Sequence, residues 1–453
     1  MAWALLFLLG LPVLSTAENN PLPDYVIERY GAPPVVPEGP LTVPLKKAVR
    51  VAFSGRIAPI GSVSRSTWGA DQSKALAQLV EAKDPRIAWV ISDLLHFTWQ
   101  RELHDELTAA AATLLDIEWQ TDNQWVELTD HLIAWDIPAY PEYLLVKRTL
   151  FTNFQHGWEN LFIEGNIDWS LVSWGGLPID NRPHNTTDPP CNCIPAIDNP
   201  KVSSVQEATW LSDDDIVFGI EVNGEQRAYP RQIMEVREMV NDTLGGRDLG
   251  IPYCTLCGAA QAYFTDQLPA GIERPVLRTS GLLIRSNKVM YDITSHSIFD
   301  TFTGKAVTGP LAVIGLQLEQ TTVITTTWRD WKSTYPNSTV LVEALALGRN
   351  FDFRNGRDAD GPIFPIGDVD LRLPVHEDII GAITSSGKPV AFPRATALLA
   401  LQDGYQITFE NVRLILDAGG IKTINLDGTD IASHQAFWFA WAQFYPETEL
   451  WLE

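Results

Sequence analysis

The hydrophobic periodicity of this chain changes once, near Trp174-Gly175-Gly176, and that change divides the 453 residues into two kinds of structure. Before it, apolar residues recur at the three- and four-residue spacing of an amphipathic helix. After it, short runs rich in β-branched residues alternate with Gly, Asn and Asp, as in strands joined by turns. A chain of this length exceeds one ordinary domain. The sequence therefore predicts a multidomain α+β protein, with an α-helical array followed by a mainly-β region.

The helical part is predicted to cover residues 66–180. Asp84-Pro85 is typical of a helix start, because Asp caps the free N–H groups and Pro fits the first turn. Successive apolar faces begin about twenty residues apart, so helix pairs recur about every forty residues, which is the length of a HEAT-type unit. We therefore predict a small HEAT-like array. Its apolar faces comprise Ile87, Val90, Ile91, Leu94 and Leu95; Leu103, Leu107, Ala110, Ala111 and Leu114; Trp125, Leu128, Leu132 and Ile133; and Tyr143, Val146, Lys147, Leu150 and Phe154.

The first 65 residues are predicted to contain an export signal and an arm. Residues 2–14 are nearly all apolar, and small residues follow at Ser15-Thr16-Ala17, so 1–17 is interpreted as a signal segment. It is too short to span a membrane, and no later apolar run is long enough, so no transmembrane segment is expected. Residues 18–65 are rich in proline and are interpreted as an extended arm or linker. These features predict a secreted or periplasmic protein.

The acidic composition restricts the partners that this chain could bind. Its formal net charge is −23 and its pI is near 4.7, so its surface would repel the phosphates of nucleic acid. The 16 tryptophans supply either large core areas or stacking platforms for a ligand. The remaining partner classes are an unknown protein, a glycan or a small molecule.

The β-rich half begins with a strong hairpin signal. The run from Ile216 to Val222 is followed by Asn223-Gly224, which is typical of a two-residue hairpin turn, and then by a second strand through Tyr229. Residues 230–240 favour a short helix, and 276–284, 288–293 and 306–313 are predicted as further strands.

Two patterns recur within this half. Val217-Phe218-Gly219 with Ala228-Tyr229-Pro230-Arg231 is echoed by Ile379-Ile380-Gly381 with Ala391-Phe392-Pro393-Arg394. Trp328-x-x-Trp331-x-x-x-Tyr335-Pro336 is echoed by Trp438-x-x-Trp441-x-x-x-Tyr445-Pro446. We interpret this as a duplicated β-rich module, complete at 190–345 and shortened at 346–453, the second copy lacking cysteines.

All four cysteines lie in the first module, as Cys191-x-Cys193 and Cys254-x-x-Cys257. An even count in an exported chain predicts disulfides, with three possible connectivities. Alternatively, the four thiolates could converge on zinc, or on copper(I), which also prefers soft ligands. In a third interpretation Cys254 and Cys257 are catalytic, one attacking a substrate disulfide and the other resolving it. Arg237 or Arg247 would favour that chemistry if either lay close enough to lower a thiol pKa.

In their order along the chain, several motifs resemble the bacterial family catalogued as domain of unknown function 3179. They are Cys193-Ile194-Pro195-Ala196-Ile197-Asp198-Asn199-Pro200-Lys201, Ala228-Tyr229-Pro230, Val240-Asn241-Asp242-Thr243, Gly245-Gly246, Tyr253-Cys254-Thr255-Leu256-Cys257-Gly258, Ser280-Gly281-Leu282-Leu283, Val289-Met290-Tyr291-Asp292 and Thr327-Trp328-Arg329-Asp330-Trp331. The family brings no established activity. It usually has Trp-His-Glu where this chain has Val236-Arg237-Glu238, and Arg237 cannot replace a histidine base because guanidinium stays protonated.

Two functional hypotheses follow. The first is an exported binding protein of unknown ligand with a structural or metal-holding cysteine site. The second is an extracytoplasmic thiol–disulfide or metal-dependent enzyme that uses Cys254 and Cys257. The candidate binding residues are Arg237, Asn241, Asp242, Tyr253, Tyr291 and Asp292, and the alternative metal ligands are Cys191, Cys193, Cys254 and Cys257. Asn241 and Asp242 could equally stabilise the turn that follows them.

Overall fold

A computed structural model describes residues 22–55, 67–186, 191–343 and 361–452. It places helices first and a β-rich region after them, as the change of periodicity predicts. The predicted signal segment, the end of the predicted arm and the start of the predicted second module lie outside the described residues. Among those that are described, no helix combines the length and apolarity needed to cross a membrane.

The N-terminal helices form one layer around a shared core. Their apolar faces are buried as the sequence predicts, including Leu94, Leu107, Leu132 and Leu150. Short 3₁₀ turns precede α4 and the first strand, at Pro85–Ile87 and Trp169–Leu171. The helices are α1 (Asp24–Tyr30), α2 (Val43–Phe53), α3 (Ala70–Glu81), α4 (Ala88–Phe97), α5 (Arg101–Leu115), α6 (Gln124–Ala134) and α7 (Tyr143–Phe154).

The extended arm predicted at 18–65 is wrong over its described residues, because α1 and α2 lie within it. Val49 and Phe53 of α2 are buried in the helical core, so this segment belongs to the layer. The prediction was wrong because it took the prolines of this segment as a sign of extended chain. Pro44 occupies the first turn of α2, where its missing N–H costs no hydrogen bond.

The strands and the remaining helices are short and follow one another closely. In chain order the strands are β1 (Val172–Trp174), β2 (Ile197–Asp198), β3 (Val202–Ser204), β4 (Ile216–Val222), β5 (Glu225–Pro230), β6 (Met239–Leu244), β7 (Arg247–Cys254), β8 (Ala259–Ala260), β9 (Ala262–Phe264), β10 (Leu277–Ile284), β11 (Asn287–Asp292), β12 (Ile298–Asp300), β13 (Glu319–Thr321), β14 (Ile324–Thr327), β15 (Thr339–Leu341), β16 (Asp378–Ile383), β17 (Pro389–Pro393), β18 (Thr408–Phe409), β19 (Val412–Asp417), β20 (Gly420–Asn425), β21 (Asp430–Ile431), β22 (Ser433–Phe437) and β23 (Glu449–Leu450). The helices among them are α8 (Arg231–Arg237), α9 (Gly309–Val313), α10 (Trp328–Thr334), α11 (Arg394–Gln402) and α12 (Trp438–Phe444).

Within the described residues the strands form five sheets arranged as a propeller-like ring of five blades. We number the blades by their strand orders. Blade 1 is β1-β10-β11-β12, blade 2 is β13-β9-β7-β6-β2 with β8 against β7, blade 3 is β14-β4-β5-β15-β3, blade 4 is β22-β16-β17-β23 and blade 5 is β18-β19-β20-β21. β10 lies beside β6, β5 beside β6, β14 beside β20, and α11 against both β16 and β19. The ring closes where Asn287 of blade 1 donates to Gln443 of α12, with Nδ2 and Oε1 2.7 Å apart.

The predicted hairpin and the predicted short helix are confirmed. β4 and β5 pair antiparallel around Asn223 and Gly224, whose φ angles of +50° and +83° suit the tight turn. α8 lies within residues 230–240. The strand predicted at 306–313 is wrong, because residues 309–313 form α9, which begins at Gly309-Pro310 where proline favours a helix start.

The helical layer packs directly on blade 1. Leu282, Val289, Tyr291 and Ile298 of that blade share one apolar core with the helices. β1 follows the helical layer in the chain and pairs with β10, with Ser173 opposite Leu283. The two parts of the chain are therefore joined by a hydrogen-bonded strand and a common core, and the face of blade 1 becomes a wall between them.

Candidate functional site

A cleft of about 600 Å³ opens between blades 1 and 2, beside the segment that follows β1. Separate stretches of the chain line it, because the ring brings them together from distant positions in the sequence. They include 175–178 after β1, 191–195, the end of α8 with Glu238, Cys254 to Leu256, part of β10, and Ile363 with Phe364. Most of its walls are apolar, with charged groups at Glu235, Arg237, Glu238 and Lys288.

Cys191, Cys193 and Cys254 line this cleft, and each of the two cysteine pairs is closed as a disulfide. Cys191 is bonded to Cys193 and Cys254 to Cys257, and the described residues contain no free cysteine. Cys254 is 2% exposed and Cys257 is fully buried, whereas Cys191 is partly exposed. The local connectivity is one of the three predicted possibilities, and the cleft has an outer and an inner disulfide.

The turn that carries Cys254 and Cys257 is determined by its neighbours. β7 ends at Cys254, and the N–H of Cys257 donates to the carbonyl of Cys254 at 3.2 Å. Gly258 follows with φ +60°, and a Cβ there would lie 2.7 Å from the ring of Phe437. Only glycine fits position 258, because the ring of Phe437 occupies the space that a Cβ would need and the backbone there is left-handed. The turn is therefore packed between blades 2 and 4.

The ammonium group of Lys288 holds the inner disulfide loop in place by hydrogen bonds. Its Nζ donates to the main-chain carbonyl of Glu238, to the Glu238 carboxylate at 3.2 Å and to the carbonyl of Tyr253 at 3.3 Å. Thr255, between the two cysteines, donates to the same carboxylate at 2.9 Å. Burial lowers the pKa of Lys288, and the Glu238 carboxylate opposes that effect. Because all three protons of the ammonium have acceptors, Lys288 positions the loop and is not a free nucleophile.

The outer disulfide loop rests on a buried ionic network. Asp180 accepts two bonds from Arg182, at 2.7 and 2.9 Å, and one from the N–H of Ala196 at 2.8 Å. Thr279 of β10 donates to the carbonyl of Ile194 at 2.7 Å. These contacts hold the segment after Cys193 against blade 1 and so support the outer wall of the cleft.

One carboxylate lies close enough to the outer pair to complete a metal-ligand group. Asp180, Cys191 and Cys193 each offer an atom within 4.8 Å of the others. However, sulfur in a disulfide is not a thiolate, and Asp180 is already bonded to Arg182. A zinc or copper ion would therefore need the outer disulfide to be reduced first.

Among the candidate binding residues, Arg237 lies in the cleft. Its guanidinium pairs with the carboxylate of Glu343 and its Nη1 lies 3.4 Å from the carbonyl of Pro195, beside the outer disulfide. Arg247 pairs instead with Asp266, at 2.7 Å, and does not line the cleft. Of the two arginines considered as thiol neighbours, Arg237 is thus the one that shares the cleft with the cysteines.

Asn241 and Asp242 lie outside the cleft, at the seams between blades. Asn241 bridges β6 to β10 by accepting from Leu277 N–H at 2.9 Å and donating to its carbonyl at 3.0 Å. Asp242 accepts from the guanidinium of Arg227 and from the hydroxyl of Tyr229 at 2.7 Å. Both side chains are buried, so in this structure their polar atoms join blades 1, 2 and 3.

Tyr253, Tyr291 and Asp292 also face inward. Tyr253 packs its ring 4.9 Å from that of Phe218, and Tyr291 donates to the carbonyl of Asp180 at 2.7 Å. Asp292 accepts from the N–H groups of Val276 and Ser295, both at 2.8 Å, and so closes the turn after β11. The structure does not bring these three side chains into the cleft.

Sequence reasoning missed Lys288, Glu238 and Asp180. Lys288 directly precedes the Val289-Met290-Tyr291-Asp292 motif, and Glu238 directly follows Arg237, so proximity to motif residues was the available signal. Nothing local distinguishes Asp180, because its partners come from other parts of the chain.

The sequence profile described as protein of unknown function (DUF3179) matches residues 191–448, which is more than half of the chain. The chain belongs to this family. The match includes both disulfides of the cleft and every strand of the five blades except β1 and β23, while the helical layer precedes it. No curated protein and no solved structure matches the chain significantly. The predicted family is thereby confirmed, and the function of this DUF3179 member has to be argued from the cleft itself.

Proposed function

We propose that this protein is an exported binding protein and that the cleft between blades 1 and 2 holds its ligand. The observation that carries the proposal is a concave site of about 600 Å³ with mainly apolar walls and a few fixed charged groups. Small-molecule sites have this size and composition, and they often lie between structural units. The concave shape favours a small molecule over a protein surface as the occupant.

In this proposal the inner disulfide is a structural element of the cleft wall. Cys254 and Cys257 are buried, and their loop is bonded to Glu238 and Lys288. A disulfide that closes so small a loop is expected to stabilise the fold by only about 2 kcal/mol, because little chain entropy is removed. Its main contribution would be to keep Thr255 and Leu256 in place beside the ligand.

A substitution that fills the cleft tests the proposal. Leu177 lines the cleft and is 39% exposed, so Leu177→Trp should reduce the cleft volume without disturbing the core. Val313, which is 88% exposed on α9 and does not line the cleft, provides the control Val313→Trp. After incubation with a small-molecule extract of the host, native mass spectrometry should detect a retained ligand on the wild type and on the control, but not on Leu177→Trp. Equal retention by all three proteins would reject the cleft as the ligand site.

A second candidate function is thiol–disulfide exchange at the same cleft. It is favoured by the position of Cys254 in the wall of the same cleft as Arg237, a positively charged residue of the kind that favours a thiolate. The thiolate of a dithiol substrate would attack Sγ of Cys254 and release Cys257 as a thiolate. The second substrate thiolate would then displace Cys254, so that the substrate leaves as a disulfide and two electrons remain on Cys254 and Cys257.

The two functions predict different behaviour of Cys254→Ser/Cys257→Ser. A structural disulfide predicts lower stability, by about 2 kcal/mol. An exchange site predicts that a dithiol is oxidised by the wild type and not by the variant. Urea unfolding and alkylation of dithiothreitol-treated protein, followed by mass spectrometry, measure both. Cys191→Ser/Cys193→Ser is the matched control for loss of a small-loop disulfide, and unchanged stability of the inner-pair variant would contradict the structural role.

Export and the domain history belong to the same proposal. Two disulfides in the described residues favour an extracytoplasmic location, and N-terminal sequencing of protein recovered from the medium would test cleavage after residue 17. Duplication is supported by blades 3 and 4, which share an edge strand, a hairpin and a strand that runs parallel to the second hairpin strand, with β3 as an additional strand in blade 3. The HEAT-type relationship of the helical layer and the domain limits stay predictions.

A further inference from the structure

The two disulfides of the cleft differ in how closely a thiol can approach them. Cys191 is partly exposed and Cys193 is 9% exposed, and both residues line the cleft. Cys254 is 2% exposed, and Cys257 is fully buried in a turn whose carbonyl accepts from the N–H of Phe437 at 2.7 Å. Exchange begins when a thiolate attacks one sulfur of the bond, so burial protects a disulfide. The outer pair is therefore open to a nucleophile in the folded protein, whereas the inner pair is shielded.

The outer pair also closes the smaller loop. A single residue, Asn192, separates its two cysteines, so this disulfide removes very little chain entropy from the unfolded state and stabilises the fold little. Exposed disulfides are as a rule more easily reduced than buried structural ones. Loop size and exposure therefore both identify Cys191–Cys193 as the pair that is reduced first.

The chain beside the outer pair is held in place by contacts that do not involve sulfur. The N–H of Ala196 donates to the carboxylate of Asp180 at 2.8 Å, and its carbonyl accepts from the guanidinium of Arg182 at 3.0 Å. These bonds remain when the disulfide opens. Reduction should therefore leave Cys193 beside the cleft and break only its bond to Cys191, without unfolding the wall.

The charges around the outer pair allow a thiolate to form. A carboxylate oxygen of Asp180 lies within 4.8 Å of both sulfur atoms and by itself would disfavour a second negative charge. Arg182 binds that carboxylate at 2.7 and 2.9 Å and so offsets its charge. A thiolate released here therefore lies beside an ion pair with no net charge.

We propose that Cys191–Cys193 is a redox-active disulfide that oxidises dithiols entering the cleft. One thiolate of the dithiol attacks Sγ of Cys191, which forms a mixed disulfide and releases Cys193 as a thiolate. The second substrate thiolate then attacks the substrate sulfur of the mixed disulfide and displaces Cys191. The substrate leaves as a disulfide, and its two electrons and two protons remain on the two cysteines. This activity uses a different pair from Cys254 and Cys257, and it does not depend on whether the cleft also retains a ligand.

Equilibration of the wild-type full chain with dithiothreitol tests which pair exchanges. Samples at a series of ratios of reduced to oxidised dithiothreitol are quenched with acid and alkylated, and mass spectrometry of the peptides gives the reduced fraction of each pair. Circular dichroism follows the fold in parallel. We expect the outer pair to be half-reduced at a ratio at least about tenfold lower than the inner pair, with the spectrum unchanged. The proposal is overturned if the inner pair is reduced first or at the same ratio, or if the outer pair is reduced only where the protein unfolds.

Two single variants test which sulfur is attacked. Cys193→Ser leaves the thiol of Cys191, and Cys191→Ser leaves the thiol of Cys193, both with the inner disulfide intact. Iodoacetamide should alkylate Cys193→Ser at least about tenfold faster, because Cys191 is the more exposed residue. Equal rates, or faster alkylation of Cys191→Ser, would overturn the attack on Cys191.

Discussion

At the scale of single residues, the interior of the ring contains a histidine whose surroundings determine its charge. His434 of β22 is 2% exposed, and burial lowers its pKa to about 3. Its Nδ1 lies 2.9 Å from Nε2 of Gln320, and its Nε2 lies 3.4 Å from Nε2 of Gln261. A neutral imidazole carries one N–H, and a half-turn of the Gln261 amide would give it an acceptor, since Oε1 of Gln261 makes no other hydrogen bond. His434 therefore joins blades 2 and 4 as an uncharged group.

This buried histidine should make the protein sensitive to acid. Because the folded-state pKa lies below that of the unfolded chain, the unfolded state binds the proton first, and stability falls as the pH drops from about 6.5 towards 3. Between pH 6.5 and 4 the contribution is about 3 kcal/mol. His434→Gln should lose less stability than the wild type over that interval, measured by urea unfolding at both pH values. An equal loss in both proteins would show that His434 does not titrate as described.

A buried ion pair in the helical layer gives a second residue-scale prediction. Lys147 is fully buried and donates to Asp93 at 2.6 Å, while Tyr143 donates to the other carboxylate oxygen at 2.6 Å. Lys147→Met should cost about 3–5 kcal/mol, because it leaves an unpaired buried carboxylate. Asp93→Asn/Lys147→Met should recover most of that loss. If the single and double variants unfold at the same urea concentration, the pair does not behave as a buried ion pair.

At the scale of elements, blades 3 and 4 use the same packing device. In each, the ring of a tryptophan from the helix that follows the edge strand packs against a glycine in the neighbouring strand. A Cβ built at Gly219 would lie 1.9 Å from the ring of Trp331, and one at Gly381 would lie 2.2 Å from the ring of Trp441. Both indoles also donate to a hydroxyl seven residues on, Ser338 and Thr448. The repeated Trp-x-x-Trp pattern in the sequence thus corresponds to a repeated contact.

Adding one carbon at either glycine should destabilise its blade. We expect Gly219→Ala and Gly381→Ala each to cost about 2 kcal/mol or more, because a well-packed indole cannot move away without disturbing its neighbours. Gly69→Ala is the control, since the nearest atom to its Cβ would be 3.7 Å away and its φ is not positive, and it should cost about 1 kcal/mol or less. Chemical denaturation of the three variants measures the difference. Similar costs at all three glycines would argue against the packing explanation.

At the scale of the whole molecule, the segment 363–368 connects the helical layer to the ring. Asp130 of α6 accepts from the N–H groups of Ile366 and Gly367 at 2.9 and 2.7 Å. Arg285, in the turn between β10 and β11, donates to the carbonyl of Ile366 and to the carboxylate of Asp368, both at 2.9 Å. This segment also supplies Phe364 to the cleft wall. The N-terminal and C-terminal parts of the chain therefore meet at the candidate site.

The connection should depend on pH through Asp130. Burial raises the pKa of Asp130 to about 6, so the folded state binds a proton more tightly than the unfolded chain does, and this group's contribution to stability falls as the pH rises from about 4 to 6. Asp130→Asn keeps an oxygen that can accept both N–H groups and removes the buried charge. Relative to the wild type, it should gain about 2 kcal/mol between pH 4 and 7.5. Thermal or urea unfolding at the two pH values measures this gain, and an unchanged difference would contradict the prediction.

Several features of this protein follow from its local sequence. Apolar residues at helical spacing lie on one face of a helix, and that face is buried, as at Leu94 and Leu107. Asn223-Gly224 predicts the hairpin because few other residues adopt its two left-handed angles. The ordered motifs around the cysteines also identify the family.

The cleft and its supports were decided only by the tertiary structure. Lys288 reaches the disulfide loop because β11 lies next to β7 in the ring, and Asp180 reaches Ala196 because blade 1 holds both segments. The roles of Asn241 and Asp242 could not be predicted for the same reason. They join neighbouring blades because of the partners that the fold places beside them, and their residue types alone do not indicate this. Hydrogen bonds and burial depend on which distant segments pack together, and a linear pattern does not contain that information.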